Sequence, residues 1–306
     1  MSELKKTSIG GQALIEGVMM RGPRKTAMAV RSPEGEIQME EWETASPSVW
    51  YKKAPFVRGI FNMVDTFRLG YKCLMRSAEI AGLEEEEDEE PSKLEKLLGD
   101  KFFSFLAGVA MVLGVLLAVG LFVVLPTLLV GLLRQVVEIP FVLTVVEGGS
   151  KILLFVGYLA LVSRMKEIHR VFEYHGAEHK TIACYEAGEE LTVENVAKHR
   201  RFHPRCGTSF LLIVVIVSIL LSSLVSWDNV VIRVVLKILL LPVVVGVAYE
   251  IIKLAGRYDN ILTRLVSAPG LWLQRLTTQE PDEGQMACAI AAMEAVIPEQ
   301  EGEDRW

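Results

Sequence analysis

Histidine, glutamate and cysteine crowd into one polar stretch of this chain. Four of the five histidines and two of the four cysteines lie between Phe172 and Cys206. The stretch opens with Phe172-Glu173-Tyr174-His175-Gly176-Ala177-Glu178-His179-Lys180 and closes with His203-Pro204-Arg205-Cys206-Gly207-Thr208. If the segment is helical, His175 and His179 stand one turn apart with Glu178 beside them on the same face. That is a metal-binding geometry: the H-x-x-E-H order is that of the inverted zincins, with two imidazoles on zinc and the glutamate as base.

A divalent cation, zinc first of all, takes imidazole, thiolate and carboxylate ligands, three from the protein when the site is catalytic. His175 and His179 supply two, and Glu178 is placed to take a proton from water that the cation has made more acidic. For the third ligand the candidates are His203, Cys206, His169 and Glu250. A set of three histidines and a cysteine makes a closed structural site, whereas two histidines and Glu250 leave an open position. The sequence does not choose between them. A thiolate at Cys206, just before an apolar segment, gains from the N-terminal end of the helix that follows. Plainer readings stand beside these: an exposed polar helix whose histidines are merely solvated, His169 as an interfacial residue beside Arg170, Cys73 and Cys288 as small core residues, and Glu250 with Tyr249 at a span end. Glu16 and Arg21 are either a pair supporting a Gly-rich loop or additional site residues.

Apolar segments frame this stretch. Of 306 residues, 51% are hydrophobic and the net charge is -6. That balance gives no electrostatic reason to expect nucleic acid. The first thirty residues contain no apolar core of signal-peptide type, so no cleaved leader is expected. The spread cysteines predict reduced thiols, not a disulfide framework.

Residues 1–55 read as a cytoplasmic module, with a Gly-punctuated loop from Gly10 to Pro23 and a hairpin around Ser32-Pro33-Glu34-Gly35. Residues 56–83 carry an amphipathic helix in partial contact with the membrane, and 84–101 an acidic linker. Apolar runs at 102–133, 141–163, 209–226 and 230–252 predict four spans in two hairpins, with Pro126 and Pro242 as kinks. Glu147 and Lys151, four apart, can pair, and Lys237 can snorkel.

The connector 164–208 carries eight Lys or Arg, 134–140 one, and 227–229 none. This puts the connector and both termini in the cytoplasm. The tail, 253–306, holds a helix from Asp282 to Val296 with a stripe of Met286, Ile290, Met293 and Val296. The predicted fold class is a mainly α membrane protein with a small α+β N-terminal module.

Gly10 to Pro23, Arg170 to Ile182, His203 to Phe210, Tyr249-Glu250, and Leu273 to Pro281 with its Q-R-L-T-T-Q-E-P run, together resemble the YqhQ-like bacterial membrane proteins. That is a domain-of-unknown-function family described as metal-dependent enzymes. The resemblance implies a multi-pass protein of the bacterial cytoplasmic (inner) membrane, with His175, Glu178, His179, His203 and Cys206 as the positions behind the metal-dependent label. It supplies no substrate. The expectation is a metal-dependent hydrolase at the cytoplasmic membrane surface, its partners being the lipid bilayer and an amphiphilic or membrane-borne substrate, with a homo-oligomer left open. The alternatives are a noncatalytic scaffold with a structural metal and a transporter. Transport wants ionisable residues deep in the spans, and Glu147, Lys151 and Lys237 read as lying toward the outer ends.

Overall fold

The computed structural model describes residues 6–44, 50–83, 102–258, 260–300 and 302–305. The acidic segment 84–101 lies outside them.

Strands β1 (Gly10–Leu14), β2 (Gly17–Arg21), β3 (Lys25–Arg31) and β4 (Ile37–Glu43) form one antiparallel meander in sequence order. The hairpin expected around Ser32-Pro33-Glu34-Gly35 is β3–β4, turned by Gly35 at φ 89°, a left-handed value that glycine adopts without steric cost. The Gly-punctuated run before it is a second hairpin, not a loop, paired from Gly10↔Arg21 to Leu14↔Gly17. Glycines weaken the strand signal there, while burial of β2 and β3 on both faces imposes the pairing.

Alternation along the strands sorts two cores. Leu14, Met19, Met28 and Val30 pack with Cys73 of α1 (Val57–Ile80). Val18, Met20, Ala27 and Ala29 face the other way, toward α5 (Lys166–Glu186) and α10 (Glu283–Glu294). The stripe of Met286, Ile290, Met293 and Val296 belongs to this second core. Asp282 caps α10 by accepting from Gln285 N–H while the Gln285 side chain accepts from Asp282 N–H, a reciprocal box that fixes the helix start.

The apolar segments are α2 (Phe102–Val119), which continues through a π-helical turn (Gly120–Val124) into α3 (Leu125–Leu133), then α4 (Pro140–Val162), α7 (Gly207–Ser222) and α8 (Val230–Arg257). Proline clashes with the carbonyl four residues back. For Pro126 that residue is Phe122, inside the π turn, and the wider turn lets the helix run on.

Among the described residues three helices are long and apolar enough to cross a membrane: Gly108–Leu133, Pro140–Val162 and Val230–Arg257. The expected third of four spans, 209–226, is not a fourth such helix. It forms α7, of 16 residues, about 24 Å at 1.5 Å per residue against a hydrocarbon core of about 30 Å. The helix stops at Ser222, and the next hydroxyl, Ser223, turns back to the Leu220 carbonyl. The two-hairpin scheme therefore does not follow from the helix lengths. Nor does Lys237 snorkel: it is 3% exposed and donates to Thr127 Oγ1 at 3.0 Å.

The chain divides into two compact units, one from residues up to 83, 158–214 and 243 onward, the other from 84–157 and 215–242. The first also contains α6 (Val193–Lys198) and α9 (Ile261–Thr277). It holds the sheet and every candidate site residue.

Candidate metal centre

Helix α5 is polar in sequence yet forms the middle of its unit: every residue from Tyr174 to Ile182 is buried. The H-x-x-E-H residues are therefore not a solvated face. Gly176 makes this packing possible, because a Cβ there would stand 2.0 Å from the Gln279 carbonyl oxygen. The chain at 279 is bonded to the same helix, Gln279 N–H donating to Phe172 O at 2.8 Å.

The two imidazoles lie 4.4 Å apart between ring centroids, and each is oriented from behind by a backbone carbonyl. His175 Nδ1 is 2.7 Å from Thr277 O, and His179 Nδ1 is 2.6 Å from Arg201 O. A carbonyl only accepts, so both Nδ1 atoms carry hydrogen and both Nε2 atoms face inward. This is the outer arrangement that metal-ligating histidines use.

His175 Nε2 meets Cys206 Sγ at 3.2 Å. His179 Nε2 is buried without a hydrogen-bond partner, as is Glu178 Oε2. The ligand atoms of His175, His179 and Cys206 all fall within 4.8 Å of one another. Buried polar atoms are rarely left unpaired, and two such atoms beside a soft sulfur ligand fit a transition-metal cation.

Cys206 immediately precedes α7, and the Thr208 N–H donates to its Sγ at 3.4 Å. Burial pushes the Cys206 thiol up, but the His179 and His175 rings outweigh it and hold the thiol well below its ordinary value. Burial likewise opposes charge on His175, and the neighbouring Cys206 sulfur overcomes it, raising the ring to about 9. For Glu178 burial prevails over the pull of His175 and His179, so its carboxyl is raised.

The other sequence candidates lie elsewhere. His203 is 5.7 Å from the His179 ring, but its Nε2 faces Glu186 Oε2 at 3.5 Å. Gln274 clamps its backbone, accepting from His203 N–H at 2.8 Å and donating to His203 O at 2.7 Å. Glu250 accepts from Arg58 Nε at 2.8 Å and from Phe56 N–H, fastening α1 to α8. His169 pairs with Glu173 at 3.6 Å.

Glu16 does not pair with Arg21. It sits at φ 51° in the β1–β2 turn, a strained value for a residue with a side chain. Its carboxylate takes the Arg170 guanidinium, Nη2 to Oε2 at 2.6 Å, and the Tyr174 hydroxyl at 3.1 Å, so it latches the hairpin to α5. Arg21 instead lines an open cavity of 360 Å³ with Gly10, Gly11, Gln12, Thr66 and Leu69.

Thr277, Arg201 and Gly11 went unsuspected as parts of the site. The first two act through backbone carbonyls, which carry no residue-type signal, although Gln274 and Thr277 both fall in the Q-R-L-T-T-Q-E-P run.

The family described as a protein of unknown function, DUF1385, matches residues 54–299. The protein of Bacillus subtilis (strain 168) named "Uncharacterized protein YqhQ" is 36% identical over 291 residues, covering 94% of this chain and 92% of that one. No solved structure matches.

Proposed function

We propose that this chain, which belongs to the DUF1385 family and is similar throughout to the Bacillus protein YqhQ, is an integral-membrane zinc-dependent hydrolase acting on an amphiphilic or membrane-borne substrate. The observation that carries this reading is the convergence of His175 Nε2, His179 Nε2 and Cys206 Sγ beside the unpartnered Glu178 Oε2.

His175, His179 and Cys206 would hold the ion, with the Thr277 and Arg201 carbonyls keeping both rings in the ligating tautomer. Bound there, zinc supplies a Lewis acid that polarises a carbonyl and makes a nearby water easier to deprotonate. Glu178 then accepts the proton of the attacking water at Oε2. From that position it can return the proton to the leaving group. Three helices of spanning length and the eight cationic residues between 164 and 208 support a location at the cytoplasmic face of the cytoplasmic membrane.

One observation favours a second reading, a noncatalytic scaffold with a structural metal. The centre is closed, with His175, Glu178, His179 and Cys206 each at most 9% exposed.

Metal analysis of the detergent-purified full chain tests both. Stoichiometric metal is expected in the native chain and in Glu178→Gln, and none in His175→Ala. A native chain without metal overturns both readings. Glu178→Gln that keeps its metal and also keeps the chain's biological effect overturns the hydrolase in favour of the scaffold.

A further inference from the structure

Charge is buried in the second compact unit where its helices are most apolar. Glu147 and Lys151 of α4, Arg233 and Lys237 of α8 and Thr127 of α3 are each at most 4% exposed. A single carboxylate serves all three cations. Arg233 Nη2 donates to Glu147 Oε2 at 3.0 Å, Lys151 Nζ lies 3.1 Å from Oε1, and Lys237 Nζ bonds that same oxygen. Thr127 Oγ1 is a further 3.1 Å neighbour of Oε1. Among the described residues, three basic side chains against one carboxylate leave positive charge in excess.

Acceptors are short as well. Two ammonium groups and a guanidinium carry about eleven N–H donors. They meet the two Glu147 oxygens, the Thr127 hydroxyl and the Val225 and Ser226 carbonyls, the last at 3.3 Å. Among the described residues Arg233 Nε is buried with no partner, and Lys151 shares the Glu147 Oε1 acceptor with Lys237. The Trp227 ring, 3.8 Å from Arg233 Cζ, softens the cation but adds no negative charge.

These residues are not confined to the helix ends. Arg233 lies three residues into α8, Glu147 and Lys237 seven into their helices and Lys151 eleven into α4. At 1.5 Å per residue their Cα atoms lie about 5 to about 17 Å along the helices from the first residue, within the length that spans a bilayer core of about 30 Å, and the charged ends converge on the Glu147 carboxylate. Ionisable residues within spans mark ion or ligand sites, and uncompensated buried cations are costly unless paired.

We propose that this cluster is an anion site within the spans. A group of phosphate chemistry, free in solution or carried on a lipid headgroup, lodges against Arg233 and Lys151 and supplies the missing negative charge and acceptors. The planar fork of Arg233 suits a tetrahedral oxyanion. The site is independent of the metal centre.

The test is thermal unfolding of the detergent-purified full chain at fixed ionic strength. Inorganic phosphate replaces gluconate in one arm. In the other, phosphatidylglycerol or phosphatidylcholine is added to the micelles. The native midpoint is expected to rise by roughly 5 °C at a hundredfold over half-saturation with phosphate or phosphatidylglycerol, the responding arm naming the source, and not with phosphatidylcholine. His175→Ala keeps the response. Lys151→Met, which removes one excess charge, unfolds higher than the native chain in gluconate and gains nothing from either anion. A native midpoint flat in both arms overturns the proposal, and so does a Lys151→Met chain that responds like the native one or unfolds lower in gluconate.

Discussion

Gly11 lies so close over Glu178 that a Cβ on it would stand 2.9 Å from the Glu178 carboxyl carbon. The same Cβ would meet the Met19 carbonyl oxygen at 2.7 Å. Strand β1 thus reaches the buried carboxylate only because it has no side chain there.

Gly11→Ala is expected to cost about 1–3 kcal/mol, the usual range for forcing extra volume into a packed site. Gly10→Ala is its control, since nothing lies within 4 Å of a Cβ at that position. Thermal unfolding of the two variants side by side measures the difference.

Gly176→Ala is expected to cost more, about 3 kcal/mol or above, because its Cβ meets a backbone oxygen that cannot rotate away. It forces the chain around Gln279 off α5 and with it the Thr277 carbonyl that orients His175. Metal content should fall together with the unfolding midpoint.

A metal held at a thousand times its dissociation constant stabilises the fold by about 4 kcal/mol. A chelator is therefore expected to lower the unfolding midpoint of the native chain and of Glu178→Gln alike. In His179→Ala and Cys206→Ser, which lack a ligand, it should change nothing.

Acid should loosen the β1–β2 hairpin through Glu16. Burial works against its charge, but Arg170 outweighs burial and holds the carboxyl below its ordinary 4.5. A depressed folded value gives stability that is complete above about pH 4.5 and is lost as pH falls through it. The gap in unfolding midpoint between the native chain and Glu16→Gln should be widest at neutral pH and close below pH 4.5.

Sequence reasoning reached the parts of this protein that periodicity or residue type announces. Apolar runs located α4 and α8, a 3.6-residue stripe located α10, and i, i+4 spacing put His175 and His179 on one face. Cys206 is a candidate by residue type, favoured further by the helix that follows it, and it is the residue that meets His175. His203, another residue of ligand type only three positions away, faces Glu186, a neighbour that only the tertiary fold supplies.

The β1–β2 hairpin escaped notice because glycines erase alternation. Nothing local in the 230–252 run says that Arg233 shares Glu147 with two lysines. The length of α7 depended on where serine hydroxyls turn the chain, which hydropathy averages out.

The hydrogen bond from His175 Nδ1 to the Thr277 carbonyl spans 102 positions of the chain. During translation His175 and His179 leave the ribosome long before that carbonyl exists. Until it arrives His175 is free to rotate and to take either tautomer, so nascent protein has no finished cradle for a cation. Under the proposed function, loading would wait until nearly the whole polypeptide has emerged, and a product truncated ahead of Thr277 would keep His175, His179 and Cys206 yet bind metal poorly.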